Sequence, residues 1–188
     1  MKVGILALQG SFAEHASLLR GMGRDFVLVR SLEDLQDITH LIIPGGESTT
    51  MVKLLKSFHM WELLERRMKK EELRILGTCA GAILCSYLGM DIDVDRNGYG
   101  AQQESFSAEL ESKQFPNLRG VFIRAPRFKI KSHPQNNPPS PPLFKGGGIK
   151  VLAMYKGEPV MVEQGNFLAL AFHPEIAGEK RIHEYFLK

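Results

Sequence analysis

Short uninterrupted apolar runs, each closed by a glycine-containing turn and followed by a stretch of helical periodicity, organise the first half of the chain. Val3–Leu8 is apolar throughout and precedes Gln9-Gly10, which predicts a strand and a turn. Ser11 and Glu14 stand at capping-box spacing, so Ser11 is expected to cap a helix that buries Ala16, Leu18 and Leu19 and ends near Gly21–Gly23. Phe26–Val29 predicts a second strand, Ser31 a cap for a short helix through Leu35, and His40–Ile43 a third strand. Pro44-Gly45-Gly46 breaks that strand before a helix beginning near Ser48 or Thr49, and a further helix covers Trp61–Lys70. Leu73–Leu76 is a fourth strand, which Gly77-Thr78-Cys79-Ala80-Gly81 turns into another apolar helix.

Apolar strands that do not alternate, separated by helices, predict an α/β fold whose parallel sheet is covered on both faces. Beyond Met90 the texture changes to short pieces: Ile92–Val94, Ser105–Leu110, Gly120–Ile123, Ile149–Met154, Pro159–Val162 and Phe167–Ala171. These predict a mixed or antiparallel extension, closed by a helix over Glu179–Leu187. Ser132–Gly148 holds five of the ten prolines and ends in three glycines, a composition that cannot sustain a ladder, so a surface insertion is expected there.

Length and composition narrow the class. A chain of 188 residues, 44% hydrophobic and 24% charged, is expected to form one globular domain over residues 1–188. The formal net charge of +3 is too small to point to nucleic acid. The longest uncharged stretch, Ile75–Met90, is 16 residues and falls short of a membrane span of ~18. The apolar run behind Lys2 is too short for a secretory signal, and a cytoplasmic location is expected. Cys79 and Cys85, six apart in one apolar segment, make a poor disulfide framework, and no Cys/His set recurs at zinc-like spacing, so no metal is expected.

Gly77-Thr78-Cys79-Ala80-Gly81 is a G-x-C-x-G between an apolar strand and an apolar helix, the cysteine counterpart of a nucleophile elbow. The turn sets Cys79 at a helix N-terminus, which favours a thiolate, and aims the Ala80 N–H at a developing oxyanion. A small buried cysteine at a tight turn would give the same string, so the elbow alone leaves catalysis and packing both open. A nucleophilic cysteine needs a base, and His173, directly after an apolar strand, is the strongest of six histidines. Glu175, two residues on, projects to the same side in extended backbone and would orient the imidazole. His15, His40, His59, His133 and His183 show no comparable partner and read as ordinary histidines. Pro44–Thr49 follows an apolar strand as well, and its adjacent glycines permit N–H groups that complete an oxyanion hole; a plain turn is the alternative.

The elbow, the Pro44-Gly45-Gly46-Glu47-Ser48 turn and His173-Pro174-Glu175 together resemble the class I, triad-type glutamine amidotransferases. Leu8-Gln9-Gly10, Arg96-Asn97-Gly98-Tyr99-Gly100 and Gly120–Pro126 narrow the resemblance to the glutaminase subunits of pyridoxal 5′-phosphate synthase, the PdxT family. The resemblance implies a flavodoxin-like three-layer α/β sandwich and hydrolysis of L-glutamine to glutamate and ammonia. It implies Cys79 as nucleophile, completed by His173 and Glu175, with Gly46, Glu47, Ser48, Arg96, Ile123 and Arg124 contacting glutamine and Gly46 and Ala80 forming the oxyanion hole. Arg96 and Arg124 suit a substrate α-carboxylate, and a structural ion pair is the alternative for either. The resemblance further implies ammonia transfer to a PdxS-type synthase subunit, with no cofactor held by this chain and neither membrane nor nucleic acid as partner. A glutaminase of another amidotransferase, or a non-catalytic subunit of the same fold, remain the competing readings. The segment after Cys85 is shorter than the family pattern, and Ala101 stands where an arginine is common.

Overall fold

The computed structural model describes residues 1–96, 98–99, 105–131 and 147–188. Ala101 and most of the Pro/Gly-rich insertion lie outside the described residues, as do Asn97 and Gly100 of the Arg96–Gly100 motif.

The four apolar runs of the first half form β1 (Val3–Leu6), β2 (Val27–Val29), β3 (His40–Ile43) and β4 (Arg74–Thr78). With β11 (Phe167–Leu170), β10 (Glu158–Gln164) and β9 (Lys150–Tyr155) they build a seven-stranded sheet in the order β2-β1-β3-β4-β11-β10-β9. The first five strands of that order run parallel, and β10 and β9 add the antiparallel extension. Counting β11 as the fifth parallel strand, this is the 2-1-3-4-5 order of a flavodoxin-like fold. β1, β4 and β11 are almost wholly buried, which is why their sequences read as apolar runs rather than as alternation.

Helices α1 (Phe12–Gly21), α6 (Pro174–Ala177) and α7 (Lys180–Phe186) pack as one group, and α2 (Leu32–Gln36), α3 (Ser48–Ser57), α4 (Met60–Lys69) and α5 (Ala80–Tyr87) as another. No described helix is long and apolar enough to cross a membrane. Two small antiparallel pairs lie outside the main sheet: β5 (Ile92–Asp95) with β8 (Arg127–Ile130), and β6 (Phe106–Leu110) with β7 (Leu118–Phe122).

Three local expectations are corrected. Ser31 does form a capping box, with Asp34, but the box expected at Ser11 and Glu14 is absent: Ser11 makes no side-chain cap, because its hydroxyl is turned toward Glu175. β8 was not anticipated, although Arg-Phe-Lys-Ile alternates with the period of a half-buried strand. His173–Glu175 is not extended throughout, since Pro174 starts the short helix α6 and places Glu175 in its first turn.

Candidate active site

A parallel α/β sheet gathers its loops at the carboxyl ends of the strands, where ligands bind. Here four such ends meet. Gln9 follows β1, Gly45–Ser48 follow β3, Cys79 follows β4 and His173 follows β11. They surround a cavity of about 500 Å³ lined by Gln9, Gly46, Glu47, Ser48, Cys79, Ala80, Ile83, Arg96, Ile123, Arg124 and His173. Backbone hydrogen bonds stitch the loops together: Ser11 N–H donates to Gly45 O at 2.9 Å, Cys79 N–H to Leu170 O at 2.8 Å and His173 N–H to Val121 O at 2.8 Å.

Cys79 sits at the N-cap of α5 with φ 50° and ψ −106°, a backbone conformation that side chains rarely adopt. That turn is possible because its flanking glycines allow strand and helix to close on each other: a Cβ on Gly81 would collide with the Ile43 carbonyl. Ala80 is the first residue of α5, so its N–H has no intrahelical acceptor and is available at the cavity wall. The Cys79 sulfur faces the Ile123 and Arg124 carbonyls at 3.6 and 3.9 Å. The other cysteine, Cys85, is fully buried in α5, and burial pushes its thiol up to about 12. Only Cys79 of the two opens onto the cavity.

His173 Nδ1 lies 2.7 Å from Glu175 Oε1. Burial alone would lower the imidazole's pKa, but the Cys79 side chain and the Glu175 carboxylate outweigh it and hold His173 up to about 10. Burial likewise opposes ionisation of Glu175, whereas the facing imidazoles of His15 and His173 bring its carboxyl down to about 2. Gly45 separates nucleophile from base: a Cβ there would strike the His173 ring and touch Cys79 Cβ at 3.4 Å.

The remaining expected residues all line the same cavity, with differing engagements. Glu47 turns its carboxylate onto the start of α3, accepting from Thr49 N–H at 3.1 Å and Thr50 N–H at 2.6 Å. Those hydrogen bonds, Thr50's the larger, bring it down to about 2. Its own N–H donates to Gln9 Oε1 at 2.9 Å, which anchors the Gly46–Glu47 turn. Arg96 donates to Thr49 Oγ1 at 3.1 Å and to the Tyr87 hydroxyl, partners without charge. Arg124 is exposed at the cavity edge with φ 46°.

Sequence reasoning passed over what lies behind Glu175. His15 and His183 are both fully buried, joined Nδ1 to Nε2 at 3.0 Å, and His15 Nε2 lies 3.2 Å from Thr78 Oγ1 and 3.4 Å from Glu175 Oε2. The signal was present for His15, which shares the buried face of α1 with Leu18 and Leu19, three and four residues on. Among the described residues no His, Cys, Asp and Glu group has the disposition of a metal site.

Known proteins extend these observations. A model of the SNO glutamine amidotransferase family matches residues 5–188. A pyridoxal 5′-phosphate synthase subunit PdxT of Pelotomaculum thermopropionicum is 45% identical over 200 residues, covering all of this chain and 94% of that protein. The same-named subunit of Thermus thermophilus is 41% identical and covers 99% of this chain and 96% of its own. A crystal structure of a glutamine amidotransferase superposes with a TM-score of 0.84 at 38% identity, over 100% of this chain and 97% of that one. Sharing sequence over nearly its whole length and fold over all of it, the chain belongs to the SNO glutamine amidotransferase family.

Proposed function

We propose that this protein hydrolyses L-glutamine through Cys79, His173 and Glu175 and passes the ammonia to a PdxS-type synthase subunit that makes pyridoxal 5′-phosphate. The observation that carries the reading is the convergence of a strained cysteine and a carboxylate-paired histidine on one cavity. Family membership and the pyridoxal 5′-phosphate synthase relatives support the substrate and the destination of the ammonia.

The substrate α-carboxylate pairs with Arg96 or Arg124, whose guanidinium planes suit a carboxylate. Cys79, as a thiolate whose proton the raised His173 imidazole already holds, attacks the side-chain carboxamide carbon. N–H groups at Gly46 and Ala80 hold the oxyanion that forms. Collapse expels ammonia, protonated by the His173 imidazolium, and leaves a thioester on Cys79. His173 then takes a proton from water, the resulting hydroxide adds to the thioester, and glutamate leaves as the Cys79 thiolate and His173 imidazolium are restored. Glu175 keeps the imidazole oriented and favours its charged form at each transfer.

The test is glutamate release by the purified protein with and without its synthase subunit, with Cys79→Ala as control. Release that the partner stimulates and the substitution abolishes is the expected result. Substantial activity in Cys79→Ala would overturn the mechanism, and activity indifferent to the partner would move the ammonia acceptor elsewhere.

A further inference from the structure

His173, at the cavity wall, covers one side of Glu175; the polar groups on its other side lie outside the cavity lining. Oε1 accepts from His173 at 2.7 Å and from the Ser11 hydroxyl at 3.0 Å. Oε2 is buried and makes no hydrogen bond, and the polar group it faces is His15 Nε2 at 3.4 Å. His15 is itself held on both ring nitrogens, by His183 Nε2 at 3.0 Å and by Thr78 Oγ1 at 3.2 Å. A buried carboxylate oxygen demands a donor, since an unpaired one loses its hydration with nothing in return.

We infer that His15 is a positioning residue for the triad: a neutral imidazole that carries its proton on Nε2, aims it at Glu175 Oε2, and so fixes the carboxylate rotamer that meets His173. The inference rests on the glutaminase reading above. In this tautomer Nδ1 is the acceptor, so His183 must donate from Nε2, leaving His183 Nδ1 as the bare nitrogen. That atom is buried without a hydrogen bond of good geometry, and the Glu179 carbonyl is the group that competes for a proton on it. His183 thereby chooses the tautomer of His15, and His15 chooses the orientation of Glu175.

Neutrality follows from the surroundings. Burial disfavours a charge on either ring; Glu175 and the more distant Glu14 would favour one on His15, while His173 opposes it. With the His173 imidazolium already on the carboxylate, a second imidazolium behind it is repelled. The charged and titratable groups in play are thus Cys79, His173, Glu175, His15, Glu14 and His183.

Two measurements test this. In wild-type protein with 15N-labelled histidine, NMR between about pH 6 and 9 should find His15 neutral with its proton on Nε2. A proton on Nδ1 alone, or a doubly protonated ring throughout that range, would overturn the assignment. In steady-state assays, His15→Leu should lower kcat about tenfold with KM unchanged, the size of losing one orienting hydrogen bond behind a catalytic group. The basic limb of the pH dependence of Cys79 alkylation should also move to lower pH, because a loosened Glu175 supports the His173 imidazolium less. His15→Gln, whose amide N–H stands in for Nε2–H, should recover most of both. A wild-type rate and pH limb in His15→Leu, or Gln performing no better than Leu, would sink the inference while leaving the triad intact. Failure of wild-type turnover would count against the glutaminase reading instead, and the NMR result, which needs no turnover, would still decide the role of His15.

Discussion

Ser11 and Glu175 are 164 residues apart in sequence, and their side chains meet at 3.0 Å behind the candidate active site. The hydroxyl that the local pattern offered to the start of α1 is used instead to hold a carboxylate at the start of α6. A Ser11→Ala substitution should therefore act on turnover more than on helix stability. We expect a several-fold fall in kcat, with the thermal midpoint shifted by no more than a degree or two, since no capping bond is lost.

Glu175→Gln keeps the shape of the side chain and removes its charge. An amide can donate toward His173 Nδ1 and hold the wrong tautomer, so glutaminase kcat should fall by roughly 10²–10⁴. Glutamate release measured beside circular dichroism checks this, and an unchanged kcat in a folded variant would refute a triad role for Glu175.

The buried histidines give stability a particular pH dependence. His15 and His183 have folded-state values below the 6.5 of the free group, His183 at about 3, so the unfolded chain binds their protons first. Stability should fall as pH drops below about 6.5. His173, raised to about 10, contributes fully below 6.5 and loses its contribution only as pH rises toward 10. Glu175, at about 2 in place of 4.5, contributes fully above 4.5 and is lost below it. Urea midpoints between about pH 6.5 and 5 thus report the two buried rings together with His40, which burial also lowers, and His183→Gln should flatten the slope there relative to wild type.

Gly45 and Gly81 separate catalysis from folding. A methyl at Gly45 meets the His173 ring and Cys79, so Gly45→Ala should cost activity heavily while leaving a folded protein. At Gly81 the obstacle is the Ile43 backbone, which cannot rotate aside, and Gly81→Ala should destabilise the fold by about 1–3 kcal/mol. Paired thermal melts and glutamate assays distinguish the two.

Arg96 is held by the neutral hydroxyls of Thr49 and Tyr87, leaving its charge for a ligand. Arg96→Ala should raise KM for glutamine by about 10- to 100-fold with little change in kcat, because a carboxylate contact is made equally in ground and transition states. A fall in kcat at constant KM would assign Arg96 to the chemistry instead.

The sheet was legible because β1, β3, β4 and β11 are buried continuously, and burial on both faces leaves an unmistakable apolar run. The elbow was legible because a strained cysteine needs small neighbours within one turn of chain, so the whole device is local. His173 and Glu175 were paired correctly from an incorrect geometry: proximity in sequence sufficed, although the backbone bends into α6 between them. What escaped was long-range. Nothing in the chain around His15 announces His183 or Thr78, and Ser11 carried a local capping signal that a distant carboxylate overrode.

That contact between α1 and α6 has a consequence for the order of events in the cell. The carboxylate that faces the candidate base meets two residues made early in synthesis, Ser11 and His15, and His15 in turn meets a histidine eight positions after Glu175, at 183. A nascent chain that has already displayed Cys79 therefore holds Ser11 and His15 but still lacks the candidate base and the carboxylate that pairs with it. The candidate nucleophile at 79 is thus made 94 residues ahead of the candidate base at 173.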